Sequence, residues 1–156
     1  MFEDFAPVTR LLTAFVQSFD EDYACELGSD WEADYDEYII TWSFVMADRS
    51  AQSFRDDFIK RFPTCRDFDT FTLSLMHELG HLETCDEMED DTSLRVAIYA
   101  MTDRAKADEV YYGLHNERIA TDWAGWYLTA HHDRMKAWEQ KILESLKKVL
   151  DKYPDV

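Results

Sequence analysis

Residues 69–84 read Asp69-Thr70-Phe71-Thr72-Leu73-Ser74-Leu75-Met76-His77-Glu78-Leu79-Gly80-His81-Leu82-Glu83-Thr84. The apolar residues Phe71, Leu73, Leu75, Met76, Leu79 and Leu82 predict a buried helix over about 69–84, with Asp67 or Asp69 as its N-cap. Residues four apart on a helix share a face. His77 and His81 therefore present two imidazoles to one metal ion, and neutral imidazole suits zinc. Glu78, one step round the helix, reaches a water at that metal. Zinc lowers the pKa of such a water towards ~7, and a neighbouring carboxylate can then take its proton. The product is a nucleophile suited to an amide carbonyl. Gly80 carries a further signal, because glycine inside a helix costs about 1 kcal/mol relative to alanine. Its place near the face of His77 predicts that another element approaches closely there.

Working outward, Val8, Leu11, Leu12, Phe15, Val16 and Phe19 recur at helical spacing and predict a helix over 7–19, with Pro7 near its start. Residues 37–46 are rich in β-branched and aromatic types and predict a strand, with one or two weaker partners within 23–33 around the turn Gly28-Ser29-Asp30. A short helix is expected over 50–61, ending before Pro63. After the central helix comes an acidic loop, Asp86-Glu87-Met88-Glu89-Asp90-Asp91, expected to be a mobile solvated rim with no metal of its own. Helices follow over 93–112, stopped by Gly113, then 115–130 and 132–152, the last two separate or one bent helix. The fold class is therefore α+β, a mainly helical single domain over 1–156 with a small sheet near the N-terminus.

Composition narrows the function classes. A net charge of −17 argues against direct binding of nucleic acid, which needs clustered Lys and Arg, and against anionic membrane surfaces. It leaves room for basic or neutral protein and peptide partners. Cys25, Cys65 and Cys85 show no paired spacing, as expected of reduced thiols. The N-terminus lacks a signal-peptide pattern, and the apolar-leaning run over 38–47 is too short to span a bilayer, so a cytoplasmic protein is expected.

A catalytic zinc site wants three protein ligands and an open position. No third histidine follows His81 within the next turn, and Glu83 points away from the imidazole face. A glutamate on a separate helix remains. Glu117, Ala120, Thr121 and Ala124 form one helical stripe, with a carboxylate leading a row of small residues that can lie tightly near Gly80. Trp123 and Trp126 are expected to anchor neighbouring faces in the core.

On these residues the chain resembles the zincin metallopeptidases of the glutamate-ligand group, and within them the ImmA/IrrE-type peptidases. In that family HELGH pairs with a later ExEAxxFA-like helix. Here Glu117, Ala120, Trp123 and Ala124 match its first Glu, its Ala, its aromatic and its final Ala, whereas Ile119 replaces the second Glu. The resemblance spans about 68–128 and implies Zn2+ held by His77, His81 and Glu117, with Glu78 as catalytic base. It also implies a specific protein target, such as a DNA-binding repressor, and suggests that strand 37–46 lends an edge to bound peptide. A fainter likeness, of Asn116-Glu117 followed by Asp122, is to the thermolysin group. Asp122 is a candidate to orient a ligating histidine. His115, Tyr111, Tyr112, His131 and His132 are candidates to stabilise the oxyanion. The expected activity is zinc-dependent hydrolysis of a peptide bond. The alternative is a non-catalytic zinc-binding module for protein interaction, against which the presence of Glu78 counts.

Overall fold

The computed structural model describes residues 2–44 and 49–154. Helix α1 spans Ala6–Gln17, opens on Pro7 in its first turn, and buries Val8, Leu12 and Val16 along one stripe. Three short strands follow: β1 (Ala24–Leu27), β2 (Glu32–Asp34) and β3 (Ile39–Trp42). The strand expected over 37–46 thus runs over 39–42, and positions 45 and 46 lie outside the described residues.

The sheet order is β1-β3-β2, with β1 parallel and β2 antiparallel to β3. This corrects the expected role of β3 as an edge. It is the central strand, and its backbone is already paired on both sides. Ile40 and Trp42 are buried at alternate positions, and the Trp42 indole N–H donates to Thr9 Oγ1 at 2.9 Å. The edges are β1 and the shorter, more acidic β2.

Helix α2 covers Arg49–Arg61 and stops ahead of Pro63. Helix α3, Thr70–Glu83, is the helix of the quoted stretch. Asp69 is its N-cap, accepting from the Phe71 N–H at 2.8 Å. Eleven of its residues are buried, from Phe71 to Leu82, so it runs through the interior.

The helix expected over 93–112 is in fact two, α4 (Thr92–Tyr99) and α5 (Arg104–Tyr112). Asp103 breaks it by capping α5 through the Lys106 N–H. Arg104 reaches back to the Ile98 and Met101 carbonyls at and just past the end of α4. Helices α6 (His115–Ala130) and α7 (His132–Leu150) are separate, divided at His131, whose φ −122° and ψ 31° leave the helical region. Trp123 stacks near Phe19 and Tyr127 as an anchor, but Trp126 is 66% exposed and anchors nothing in the core.

The core lies between α1, the sheet, α3, α6 and α7. A second small cluster, Ile98, Ala107 and Leu114, joins α4 and α5 to the start of α6. Among the described residues no helix is long and apolar enough to cross a membrane.

Candidate metal centre

Helices α3 and α6 are the most extensively packed pair of elements among the described residues. Gly80 is the reason they come so close. A Cβ added there would meet the Ala120 carbonyl oxygen at 2.3 Å. At that approach His77, His81 and Glu117 converge, with exposures of 5%, 6% and 3%. Glu117 Oε1 lies 3.2 Å from His77 Nε2, its Oε2 lies 3.1 Å from His81 Nε2, and the two Nε2 atoms are 3.1 Å apart. Among the described residues this is the one group of its kind with donor atoms close enough to share an ion.

The outer sides of both rings are also held. His77 Nδ1 lies 2.9 Å from Thr121 Oγ1, and His81 Nδ1 lies 3.0 Å from Tyr35 Oη. In the tautomer with each Nδ1–H donating outward, both Nε2 lone pairs face the carboxylate. The Phe54 ring packs edge-on against His77, with centroids 5.2 Å apart. Asp122 does not orient a histidine. It is an ion-pair partner of Arg61, because its place one step past Thr121 turns it away from α3 towards α2.

This donor set fits a metal ion. Ligands about 2.0–2.2 Å from zinc in tetrahedral array lie roughly 3.3–3.5 Å from one another, close to the spacing observed here. Two imidazoles and a carboxylate, each fixed from outside, make a three-ligand group that can hold a metal ion. Burial raises the pKa of Glu117, but when His77 and His81 carry a proton on Nε2 their hydrogen bonds outweigh it and hold the carboxyl far below its usual range. Burial alone would lower the His77 pKa, yet the Glu117 carboxylate lifts it above its ordinary value. Glu78 is pushed the other way. Burial raises its pKa, opposed by the neighbouring His77 and His81.

A cleft of about 390 Å³ opens over the group, and Glu78, His81 and Glu117 form part of its floor. One wall is β2 and its flank, with Glu32, Ala33 and Tyr35. The other is the acidic loop and α4. The loop is a rim, as expected, but it is strapped in place instead of loose. Asn116 accepts from the Glu89 N–H at 2.9 Å and donates to the Glu89 carbonyl at 2.8 Å. Arg95 Nε donates to Asp91 Oδ1 at 2.8 Å, and its Nη2 donates to Glu117 Oε2 at 3.1 Å. A second recess of about 550 Å³, flanked by Phe54, Tyr99 and Tyr111, meets the first at Glu78 and Glu117.

Of the residues proposed for the oxyanion, Tyr111 alone lines both recesses, and the Arg95 guanidinium lies over its ring, 5.4 Å from the centroid. Tyr112 lines the second and donates to the Ser50 carbonyl. His115 is exposed, 3.0 Å from the Glu87 carbonyl. His131 stacks on Tyr127, and His132 pairs with Asp67 at 2.7 Å, both outside the walls of the two recesses. Sequence reasoning missed Tyr35, Thr121 as a histidine partner, Asn116 and Arg95. Thr121 stood on the small-residue stripe and could have been found there; Tyr35 and Arg95 carry no local signal. Compared with protein-family models, curated proteins and solved structures, the chain finds no match.

Proposed function

We propose that this protein is a zinc-dependent peptidase of the HExxH type, with His77, His81 and Glu117 as ligands and Glu78 as general base. The observation that carries the reading is the convergence of the buried donor atoms of His77, His81 and Glu117, 3.1–3.2 Å apart, where two recesses meet at Glu78 and Glu117. Zinc supplies a Lewis acid at that point when bound. The chain's own residues do the rest. Thr121 and Tyr35 hold the imidazoles with Nε2 turned inward. Glu78 takes a proton from the attacking water and returns it to the departing amine nitrogen. Burial raises its pKa, which makes it a stronger base than a solvated carboxylate and lets it hold the proton until the amine nitrogen takes it. The deep α3–α6 contact keeps these groups rigid.

The cleft favours an extended peptide or a protein segment, and the net charge of −17 favours a basic one. A DNA-binding repressor, the target implied by the likeness to ImmA/IrrE-type peptidases, has that character. The rival reading, a metal-holding interaction module, draws on the exposed apolar residues Leu94, Val96 and Tyr99 of α4. Two variants separate the readings. Glu78→Gln should keep zinc and the fold while losing Glu78-dependent new termini in proteins from the source cell; His77→Ala should lose the metal. A zinc-loaded parent that yields no such cut, yet forms a stable zinc-dependent complex, would favour the module.

A further inference from the structure

Among the described residues the cleft is lined by one permanent cation, whose place the metal-binding role does not explain. Arg95, on α4, points its guanidinium at the floor, 3.1 Å from Glu117 Oε2. Asp91 grips it from behind at 2.8 Å, and it lies over the Tyr111 ring, 5.4 Å from the centroid. Its side chain is 27% exposed, and it lines the cleft beside Glu78 and His81. A guanidinium has five N–H donors, more than its bonds to these two carboxylates use. A fixed positive charge beside a metal ligand opposes the binding of a metal cation. A site built only to hold metal gains nothing from such a neighbour. A site in which negative charge appears on a substrate oxygen does gain.

We propose that Arg95 is the group that receives the oxyanion formed when the substrate carbonyl is attacked, with Tyr111 and Asp91 positioning it. The assignment rests on the peptidase reading above. As the water oxygen bonds to the carbonyl carbon, its proton passes to Glu78, and the carbonyl π pair moves onto the carbonyl oxygen. That oxygen accepts from Arg95. Collapse restores the C=O bond, breaks the C–N bond, and the nitrogen takes the proton back from Glu78. Asp91 belongs to the loop that Asn116 straps to α6, so the loop's order and the aim of Arg95 are coupled.

The test uses the full chain loaded with zinc and two probes. A phosphonamidate dipeptide presents a tetrahedral anion, and acetohydroxamate binds metal without placing an anion in the same way. Arg95→Gln should take up one zinc as tightly as the parent or more tightly, and bind acetohydroxamate within about threefold of it. It should bind the phosphonamidate about 100-fold more weakly, the scale of losing one preorganised oxyanion donor. Arg95→Lys, which keeps the charge, should recover part of that loss. Equal phosphonamidate affinity in parent and Arg95→Gln would overturn the assignment and leave the peptidase reading standing. So would a parallel loss of zinc and both probes, which marks a structural role. A parent that binds zinc but neither probe would overturn both.

Discussion

At the residue scale, the site depends on what lies one bond beyond the three ligands. Replacing Thr121 by Val keeps the shape but removes the acceptor for His77 Nδ1. Zinc affinity should fall by about 10–100-fold, the range typical for lost outer partners of a ligating histidine, and competition with a chelator of known affinity measures it. Gly80→Ala sets two effects against each other. Helix propensity favours alanine by about 1 kcal/mol. The new methyl, however, would meet the backbone of Ala120, which has no rotamer by which to move aside. The contact should win, with a net loss of about 1–3 kcal/mol in urea unfolding and weaker zinc uptake as α6 is pushed away. Cysteine behaviour also follows from local surroundings. Burial pushes the Cys25 thiol up to about 12, so it stays protonated and unreactive at pH 8, whereas the half-buried Cys85 should be the first to be alkylated in the native protein. Peptide mapping after brief iodoacetamide treatment reads the order.

At the element scale, α3 is held at its N-terminus by a residue some seventy positions away. The buried carboxylate of Glu139, on α7, accepts from the Asp69 N–H at 2.8 Å and from Thr72 Oγ1 at 2.5 Å, and Lys136 donates to it at 2.6 Å. A negative charge at a helix N-terminus is favourable, and here it also joins two helices. Glu139→Ala leaves the buried Thr72 hydroxyl and the part-buried Asp69 N–H without their acceptor and should cost about 1–3 kcal/mol, lowering Tm without changing zinc stoichiometry. The break between α4 and α5 has the opposite origin. It is local, made by Asp103 and Arg104, and it lets α4 swing Arg95 over the cleft while α5 brings in Tyr111.

At the scale of the whole molecule, metal uptake and stability are linked. The three donors come from two helices separated by the whole α4–α5 segment, so an ion that binds them binds only the folded chain. Free zinc at a thousand times its Kd should add about 4 kcal/mol, a rise in Tm of roughly 10 °C for a chain of this size, reversed by chelator. No shift in Tm would speak against a closed three-ligand site. The acidic surface acts at longer range. Association with a cationic peptide should weaken as salt is raised, since the Debye length falls to about 10 Å at 0.1 M.

Much of this architecture is legible along the chain. Periodic apolar residues marked α1, α3, α6 and α7, the pair Asp67 and Asp69 bracketed the start of α3, which the fold caps with Asp69, and Pro63 marked the end of α2. The spacing of His77 and His81, and the carboxylate of Glu117 at the head of a small-residue stripe, were enough to single out the three residues the fold brings together. These features are local: a helix places side chains by its own repeat, and a cap acts within one turn. What only the tertiary structure decided are the partners separated by long stretches of chain. Tyr35 on His81, Glu139 on Asp69, and the central position of β3 follow from which faces bury against which. Arg95 is the clearest case. In the sequence it is a lone cation after an acidic run, and only the packing of α4 on α5, with Asp91 tied to Asn116 of α6, turns it towards Glu117.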